Sequence, residues 1–344
     1  MAQDADLKAL FDDAASAEPR FAIAAAYIAE NTAPIIMTAG PTVKNGAIDV
    51  APDARWHIGS ISKSFTATLI MRLVDRGVLE LEAPIETYLP EYRNNMHAEW
   101  RTATLRQLLS HTAGVAANPP RSSLKATFAF KPYEGRRKVL ADFWGSPLAS
   151  RPSTFTYSNI GYVLAGFIAE EVTGETWEDL IISEIAEPLG LTSLGFGAPQ
   201  EIDAPRGHRS IFGFKSAVEP GVLGSDNAPW MGPAGTIHLS MADLVEWGHV
   251  HIRACNGLMP DFLAQQSCVL MQTPIERDYG LGWVVPENGK AGTTVWHNGS
   301  NSMWYAILTL FPDKNTAIAV ATNVFDPKRA ENLSQKLSMK LCDC

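Results

Sequence analysis

Several large functional classes are excluded by what the 344-residue chain lacks. Its four cysteines, Cys255, Cys268, Cys342 and Cys344, are too few for a disulfide scaffold. Cys255 and Cys268 pair only if the fold brings them together, and Cys342 and Cys344 fall in a terminus expected to fray. None of the four has a histidine at ligand spacing. His249 and His251, two apart on an expected helix, point to different faces, so neither a metal nor another cofactor is expected. The net charge of -9 comes without any Lys/Arg run, which argues against nucleic acid and anionic membranes as partners. No apolar run reaches the roughly 20 residues of a transmembrane helix. Met1 to Asp6 offer neither a basic n-region nor an apolar h-region. As written, the chain is expected to be soluble and cytoplasmic, or periplasmic or secreted if an export signal precedes it. G-x-S-x-G is absent, which removes the sharp strand-to-helix elbow as a source of a nucleophile.

What is present is ordinary globular composition, 46% hydrophobic and 19% charged, over a length comfortable for two packed units. Helical spacing is read over Leu7 to Ala17, Thr104 to Leu109, Ile160 to Val172, Trp177 to Ile185, Met241 to Ile252 and Asn332 to Leu341. Strands are read at Phe21 to Ile28 and Ala33 to Ala39, then at Arg55 to Ile58. Four more follow near the C-terminus: Tyr279 to Val285, Thr293 to His297, Met303 to Phe311 and Thr316 to Thr322. Pro312-Asp313-Lys314-Asn315 supplies a hairpin turn. Pro119 to Pro152 reads as an irregular surface excursion. Strands at both ends and helices between them predict an α/β plus all-α architecture. An antiparallel sheet forms from both termini, flanked by terminal helices, with a largely helical insertion. The expected division is 1–62 with 215–344 as the sheet domain and 63–214 as the helical domain, with the active site between them.

The chemistry centres on Ser60-Ile61-Ser62-Lys63. Read as S-x-x-K at a helix start, it places Ser60 and Lys63 about one turn apart on one face. A serine needs a base to take its proton, and a lysine serves only when burial or a neighbouring cation lowers its pKa. About one S-x-x-K is expected by chance in such a chain, and a second does occur, Ser122-Ser123-Leu124-Lys125. The first stands apart because Phe65, Leu69, Ile70, Leu73 and Val74 follow at helical spacing until Gly77. By itself the tetrad reads better as a helix cap beside a solvated lysine.

Two further pieces change that balance. Tyr157-Ser158-Asn159 stands at the entrance of the helix from Ile160, where a phenol near a lysine can shuttle a proton and an amide can orient it. A second Y-x-N, Tyr92-Arg93-Asn94, lies in a charged loop. Trp296-His297-Asn298-Gly299-Ser300 ends a strand, with Gly299 allowing close approach and the Ser300 N–H free to donate. Judged alone, Tyr157 fits a packing role and His297 a structural one.

Together, S-x-x-K, Y-x-N and H-N-G, in this order, resemble the serine β-lactamase and penicillin-binding-protein superfamily. The class C-like branch, with its esterase and D-aminopeptidase relatives, is the most similar. Leu108-Leu109-Ser110-His111-Thr112-Ala113-Gly114, Pro233-Ala234-Gly235 and Tyr279-Gly280-Leu281-Gly282-Trp283 extend the match over roughly Phe21 to Asn323.

The resemblance implies that Ser60 is acylated and that Lys63 and Tyr157 share the proton transfers. It makes the N–H groups of Ser60 and Ser300 the oxyanion hole, with Asn159, His297, Asn298 and Gly299 contacting substrate. His297 departs from the lysine of K-T-G, which in β-lactamases holds the substrate carboxylate. A histidine of ordinary pKa, about 6.5, is mostly neutral at pH 7. The expectation is a serine hydrolase of small esters, then D-amino-acid amides or peptides, then β-lactams. Trp283, Trp296, Trp304 and Tyr305 are expected to line an aromatic pocket. The rival from another class is a non-catalytic, penicillin-binding-like sensor.

Overall fold

The computed structural model describes residues 2–30, 32–119, 128–286 and 292–342. Ten strands are described: β1 (Ile23–Ala29), β2 (Ile35–Ala39), β3 (Arg55–His57), β4 (Gly195–Phe196), β5 (His208–Ile211), β6 (Phe214–Ala217), β7 (Ile237–Ser240), β8 (Val295–Ser300), β9 (Tyr305–Phe311) and β10 (Thr316–Thr322). The main sheet is antiparallel with order β2-β1-β10-β9-β8. The N-terminal strand β1 pairs with the C-terminal strand β10, from Ile23 opposite Thr322 to Ala29 opposite Thr316. Strands from both ends of the chain thus share one sheet, as the sequence pattern predicts.

Side-chain alternation gives this sheet two apolar faces. Ile23, Ala25, Tyr27, Ile318 and Val320 face Leu7 and Phe11 of the first helix (Ala2–Ala17) and Ala330, Leu333 and Leu337 of the last (Pro327–Cys342). Full burial of each large apolar side chain contributes roughly 1.5–3 kcal/mol. On the other face, Ala24, Ala26 and Ala319 join the core that contains the helix Met241–Cys255. Small residues let that helix approach closely. A Cβ on its Gly248 would sit 2.6 Å from Leu310 Cδ2.

Beyond this layer lies the serine-bearing helix, Ser62–Asp75, with eleven of its residues buried. Three of its buried hydroxyls are satisfied locally, Ser62 donating to Gly59 O, Ser64 to Ile61 O and Thr68 to Ser64 O, while Thr66 donates to Pro233 O. Phe65 stacks on Trp247 at 4.0 Å. The helix Asn159–Thr173 packs beside it and is almost wholly apolar and buried. It begins with a Ser158 side-chain cap on Gly161 N–H and ends at Gly174, in the left-handed region.

Several expectations need correction. Tyr279 to Val285 is not a strand. Positive φ at Gly282 interrupts it, leaving isolated bridges from Tyr279 to Val284 and from Val284 to Trp296. The strand expected to stop at His297 begins at Val295 and runs through Ser300. The excursion from Pro119 contains a helix, Pro132–Ala141, whose Arg136 is buried in an ion-pair network with Glu170 and Glu178. The second S-x-x-K, at Ser122 to Lys125, lies outside the described residues, as does Cys344. Tyr92, of the second Y-x-N, lies in a short surface turn, Pro90–Asn95, with its ring stacked on Trp144. Cys342 is buried in the last helix rather than frayed, and Cys255 is joined to Cys268 by a disulfide.

Candidate active site

Ser60 lies in a tight helical turn, Gly59–Ile61, that leads into the helix Ser62–Asp75. Gly59 has φ +54, and a Cβ there would lie 2.2 Å from Ser300 N, so only glycine fits between the turn and β8. Gly299 makes the reciprocal approach, since a Cβ on it would meet Ile58 O at 1.9 Å and Ser60 N at 2.4 Å. Two glycines therefore let the backbone amides of Ser60 and Ser300 lie side by side. This is the donor pair that an oxyanion hole requires.

Lys63 is completely buried, while Ser60 is half-buried. The Lys63 Nζ lies 3.1 Å from Ser60 Oγ, 2.8 Å from Asn159 Oδ1 and 2.8 Å from Ala234 O; as an ammonium it donates to all three, and as a neutral amine it donates to the last two and turns its lone pair to Ser60. It also lies 4.8 Å from the Tyr157 ring centroid and 5.5 Å from that of Tyr162. Desolvation pushes its pKa well below the ordinary lysine value.

The helix entrance holds Tyr157 and Asn159. Lys63 donates to Asn159 Oδ1, and Asn159 Nδ2 donates to Asn118 Oδ1 at 2.8 Å. His111 supports this entrance from below, its Nδ1 accepting the Ser158 N–H at 3.0 Å and its ring 4.2 Å from that of Tyr157. Burial and then the Lys63 charge push the His111 pKa well down. Burial pushes the Tyr157 phenol up, opposed by its hydrogen bond with Ser60. Tyr157 keeps 36% of its surface open to the cleft, so water moderates that shift. Tyr157 is therefore a neutral phenol, not the lowered one that a lysine neighbour alone would produce.

On β8, His297 and Gly299 face the serine turn, whereas Trp296, Asn298 and Ser300 alternate to the other side. His297 is buried. Its Nδ1 donates to Asn298 O at 2.6 Å, and its Nε2 accepts from the Tyr279 hydroxyl at 3.0 Å. Desolvation, with a further push from Lys63, lowers its pKa to about 3. It is an uncharged imidazole at any ordinary pH. Asn298 borders the cleft but gives its amide to the Tyr305 hydroxyl at 2.8 Å.

The cleft above Ser60 holds about 500 Å³ and is lined by Phe155, Tyr157, Arg277, Tyr279, Tyr305 and Phe325. Of the four aromatics expected there, only Tyr305 is present. Trp283 packs against His251, Trp304 stacks on His57, and Trp296 lies with the terminal helices. A larger groove of about 680 Å³, walled by Glu134, Glu171 and Glu175, contains no serine or cysteine, so chemistry rather than size marks the site. His249 and His251 engage Asn315 and Thr68 separately, and no metal-binding cluster occurs among the described residues. No described helix is long and apolar enough to cross a membrane.

The structure thus gathers Ser60, Lys63, Tyr157, Asn159, His297, Gly299 and Ser300 around one cleft. Asn118, Phe155, Arg277 and Phe325 were not found from sequence, since only folding brings them to the site. His111 and Tyr279 sit within stretches that carry the resemblance, but nothing in those stretches indicates their partners.

Comparison with known proteins agrees with this fold. Penicillin-binding protein 4 of Amycolatopsis lactamdurans is 26% identical over 311 residues, covering 83% of this chain and 77% of that protein. Protein flp of Staphylococcus aureus strain N315 is 24% identical over 299 residues, covering 84% of this chain and 57% of that protein. Among solved structures, a D-stereospecific amidohydrolase from Streptomyces sp. superposes with a TM-score of 0.73 at 23% identity, covering 99% of both chains. The class C β-lactamase from Rhodobacter sphaeroides superposes with a TM-score of 0.75 at 20% identity, covering 96% of this chain and 97% of the other. The sequence profile of the family described as Beta-lactamase matches residues 11–337, nearly the whole chain, and the protein belongs to that family of serine hydrolases.

Proposed function

We propose that this protein hydrolyses small, uncharged carboxylic esters through an acyl-enzyme on Ser60, in a cleft between the 63–214 body and the body formed by 1–62 and 215–344. The observation that carries the ester preference is His297. The position that would anchor a substrate carboxylate holds a buried imidazole with its pKa at about 3, hydrogen-bonded to Tyr279 and to the backbone carbonyl of Asn298. The charged groups bordering the cleft are Arg277 and Glu331, both exposed at its rim.

The steps follow from the contacts. Lys63, as a neutral amine, takes the Ser60 proton across 3.1 Å while Ser60 Oγ attacks the ester carbon. The oxyanion forms between the Ser60 and Ser300 N–H groups. The new Lys63 ammonium is held by Asn159 Oδ1 and Ala234 O. Tyr157, a neutral phenol, passes a proton to the departing alkoxide and is reprotonated from Lys63. Water then attacks the acyl-enzyme by the same path in reverse. A binding module has no use for an uncompensated buried lysine, which is costly unless it serves chemistry.

A second reading, amides of D-amino acids, is favoured by Glu331, which offers an ammonium group a partner in the same cleft. The amidohydrolase from Streptomyces sp. that shares this fold is D-stereospecific. A panel of p-nitrophenyl esters of rising chain length, D-alanyl p-nitroanilide and nitrocefin at pH 7 to 8 separates the readings. The highest kcat/KM is expected for a short ester. Nitrocefin outpacing every ester would overturn the proposal, and the anilide leading would install the second reading.

A further inference from the structure

A carboxylate outside the Ser60 cleft ties together three backbone segments of the site. Asp226, only 8% exposed at its side chain, lies with its Oδ1 2.9 Å from His57 Nε2, at ion-pair distance though without the alignment of a hydrogen bond. The His57 ring is wholly buried and stacked on Trp304 at 5.5 Å. Its Nδ1 accepts the Gly59 N–H at 3.1 Å, so the ring proton sits on Nε2, facing Asp226. His57 thereby holds the Ile58–Gly59 peptide, one peptide before the amide of Ser60.

The same Oδ1 accepts Asn301 Nδ2 at 2.7 Å. Asn301 Oδ1 in turn accepts the Met303 and Trp304 N–H groups at 3.1 and 3.2 Å, closing the turn that follows Ser300. The next residue, Asn227, donates to Gly235 O at 2.8 Å, beside the Ala234 carbonyl that receives Lys63.

We propose that Asp226 is a positioning residue for the oxyanion hole. Through His57 and the Gly59 N–H it sets the peptide next to the Ser60 amide, and through Asn301 it sets the turn next to the Ser300 amide, so that both donors converge on one oxygen. The two amides come from segments 240 residues apart in sequence and are separated only by Gly59 and Gly299. The β8–β9 ladder and the Ser62 hydroxyl hold each segment separately, and the single oxygen of Asp226 touches one side chain bonded to each. A misplacement of about 1 Å in such a site can cost on the order of 10²-fold in rate.

This inference rests on Ser60 being the acylated residue, and the test separates the two claims. A phenylboronic acid forms a tetrahedral adduct with a reactive serine and places one oxygen where the oxyanion would lie. Its affinity is measured on wild type, Ser60→Ala, Asp226→Asn and His57→Gln, beside kcat and KM on the best substrate and the thermal midpoint. Asp226→Asn is expected to weaken the boronate and lower kcat by a similar factor, about 10- to 100-fold, with KM within about threefold. His57→Gln should do the same, and the double variant should lose little more than either alone.

Boronate binding that survives Ser60→Ala would defeat the nucleophile assignment. Binding that needs Ser60 but ignores Asp226→Asn and His57→Gln would overturn the positioning role. A rise in KM with boronate affinity unchanged would do so as well. If Asp226→Asn does not fold, His57→Gln carries the same readings.

Discussion

Replacing Lys63 by methionine should change how stability depends on pH, in a direction that the burial fixes. Lys63 is fully enclosed, its donors go to uncharged oxygens, and burial alone drives its pKa well below 10.5. In the unfolded chain a lysine titrates at about 10.4. Between the folded pKa and that value, the unfolded chain holds a proton that the folded one has shed. Stability therefore rises with pH across this window and flattens outside it. The slope for one proton is about 1.4 kcal/mol per pH unit, and each unit by which the folded pKa is depressed is a like amount of stability missing at low pH. Lys63→Met removes the titration. It also leaves the Asn159 and Ala234 oxygens without a donor, a cost of about 1–3 kcal/mol each. That cost does not vary with pH and drops out of the slope.

Urea unfolding of both proteins at intervals from pH 6 to pH 10.5 gives the test. The difference, wild type minus variant, should climb in favour of wild type over the upper part of the range at up to about 1.4 kcal/mol per unit. Parallel curves would mean that Lys63 titrates alike in both states and is not the neutral base proposed. A wild type that loses ground to the variant as pH rises would mean that the folded pKa is raised.

Two other predictions use different assays. Gly299→Ala must push its methyl into Ile58 O and Ser60 N, at 1.9 and 2.4 Å, so β8 has to retreat from the serine turn; kcat should fall by about 10²–10³-fold, and near wild-type turnover would refute the donor pair. Opening the Cys255–Cys268 disulfide, which spans 13 residues, by Cys255→Ser with Cys268→Ser should lower unfolding free energy by about 3 kcal/mol while sparing kcat, because no member of the site lies within the loop; an unchanged denaturation midpoint would refute it.

What could be read from sequence was what local pattern carries. The serine helix was legible because its apolar residues recur at helical spacing beyond Lys63, and the sheet because β1, β9 and β10 are apolar runs between clear turns. The misreadings have specific causes. Gly299 looks like a strand end, yet β8 continues through it because the serine turn needs a strand there without a side chain. The helix Pro132–Ala141 reads as surface because Arg136, Arg137 and Lys138 dominate it. The Arg136 charge is compensated by Glu170 and Glu178, 34 and 42 residues away, which no local window can see. The tryptophans were assigned to the cleft by their nearness in sequence to β8 and β9, but alternation and packing send Trp296 to the terminal helices and Trp304 to His57. The partners of Asp226 are equally silent, since it meets His57 and Asn301 across 169 and 75 residues.

The site's charge balance links the base to the substrate class. Lys63, His111 and His297 crowd one enclosed pocket, and all three are pushed toward their neutral forms. Burial dominates each shift, and the Lys63 charge adds to both histidine shifts. The enclosure that makes Lys63 a competent base on the proposed reading is thus the one that strips His297 of charge. A lysine in place of His297 would set a permanent cation beside Lys63 and lower its pKa further by like-charge repulsion. It would also have to be desolvated itself. The chain has instead an imidazole that orders Tyr279 and leaves the cleft floor uncharged. A neutral ester loses nothing by this arrangement. A substrate with a carboxylate must leave water for a floor that offers no counter-charge, or reach outward to Arg277 at the rim.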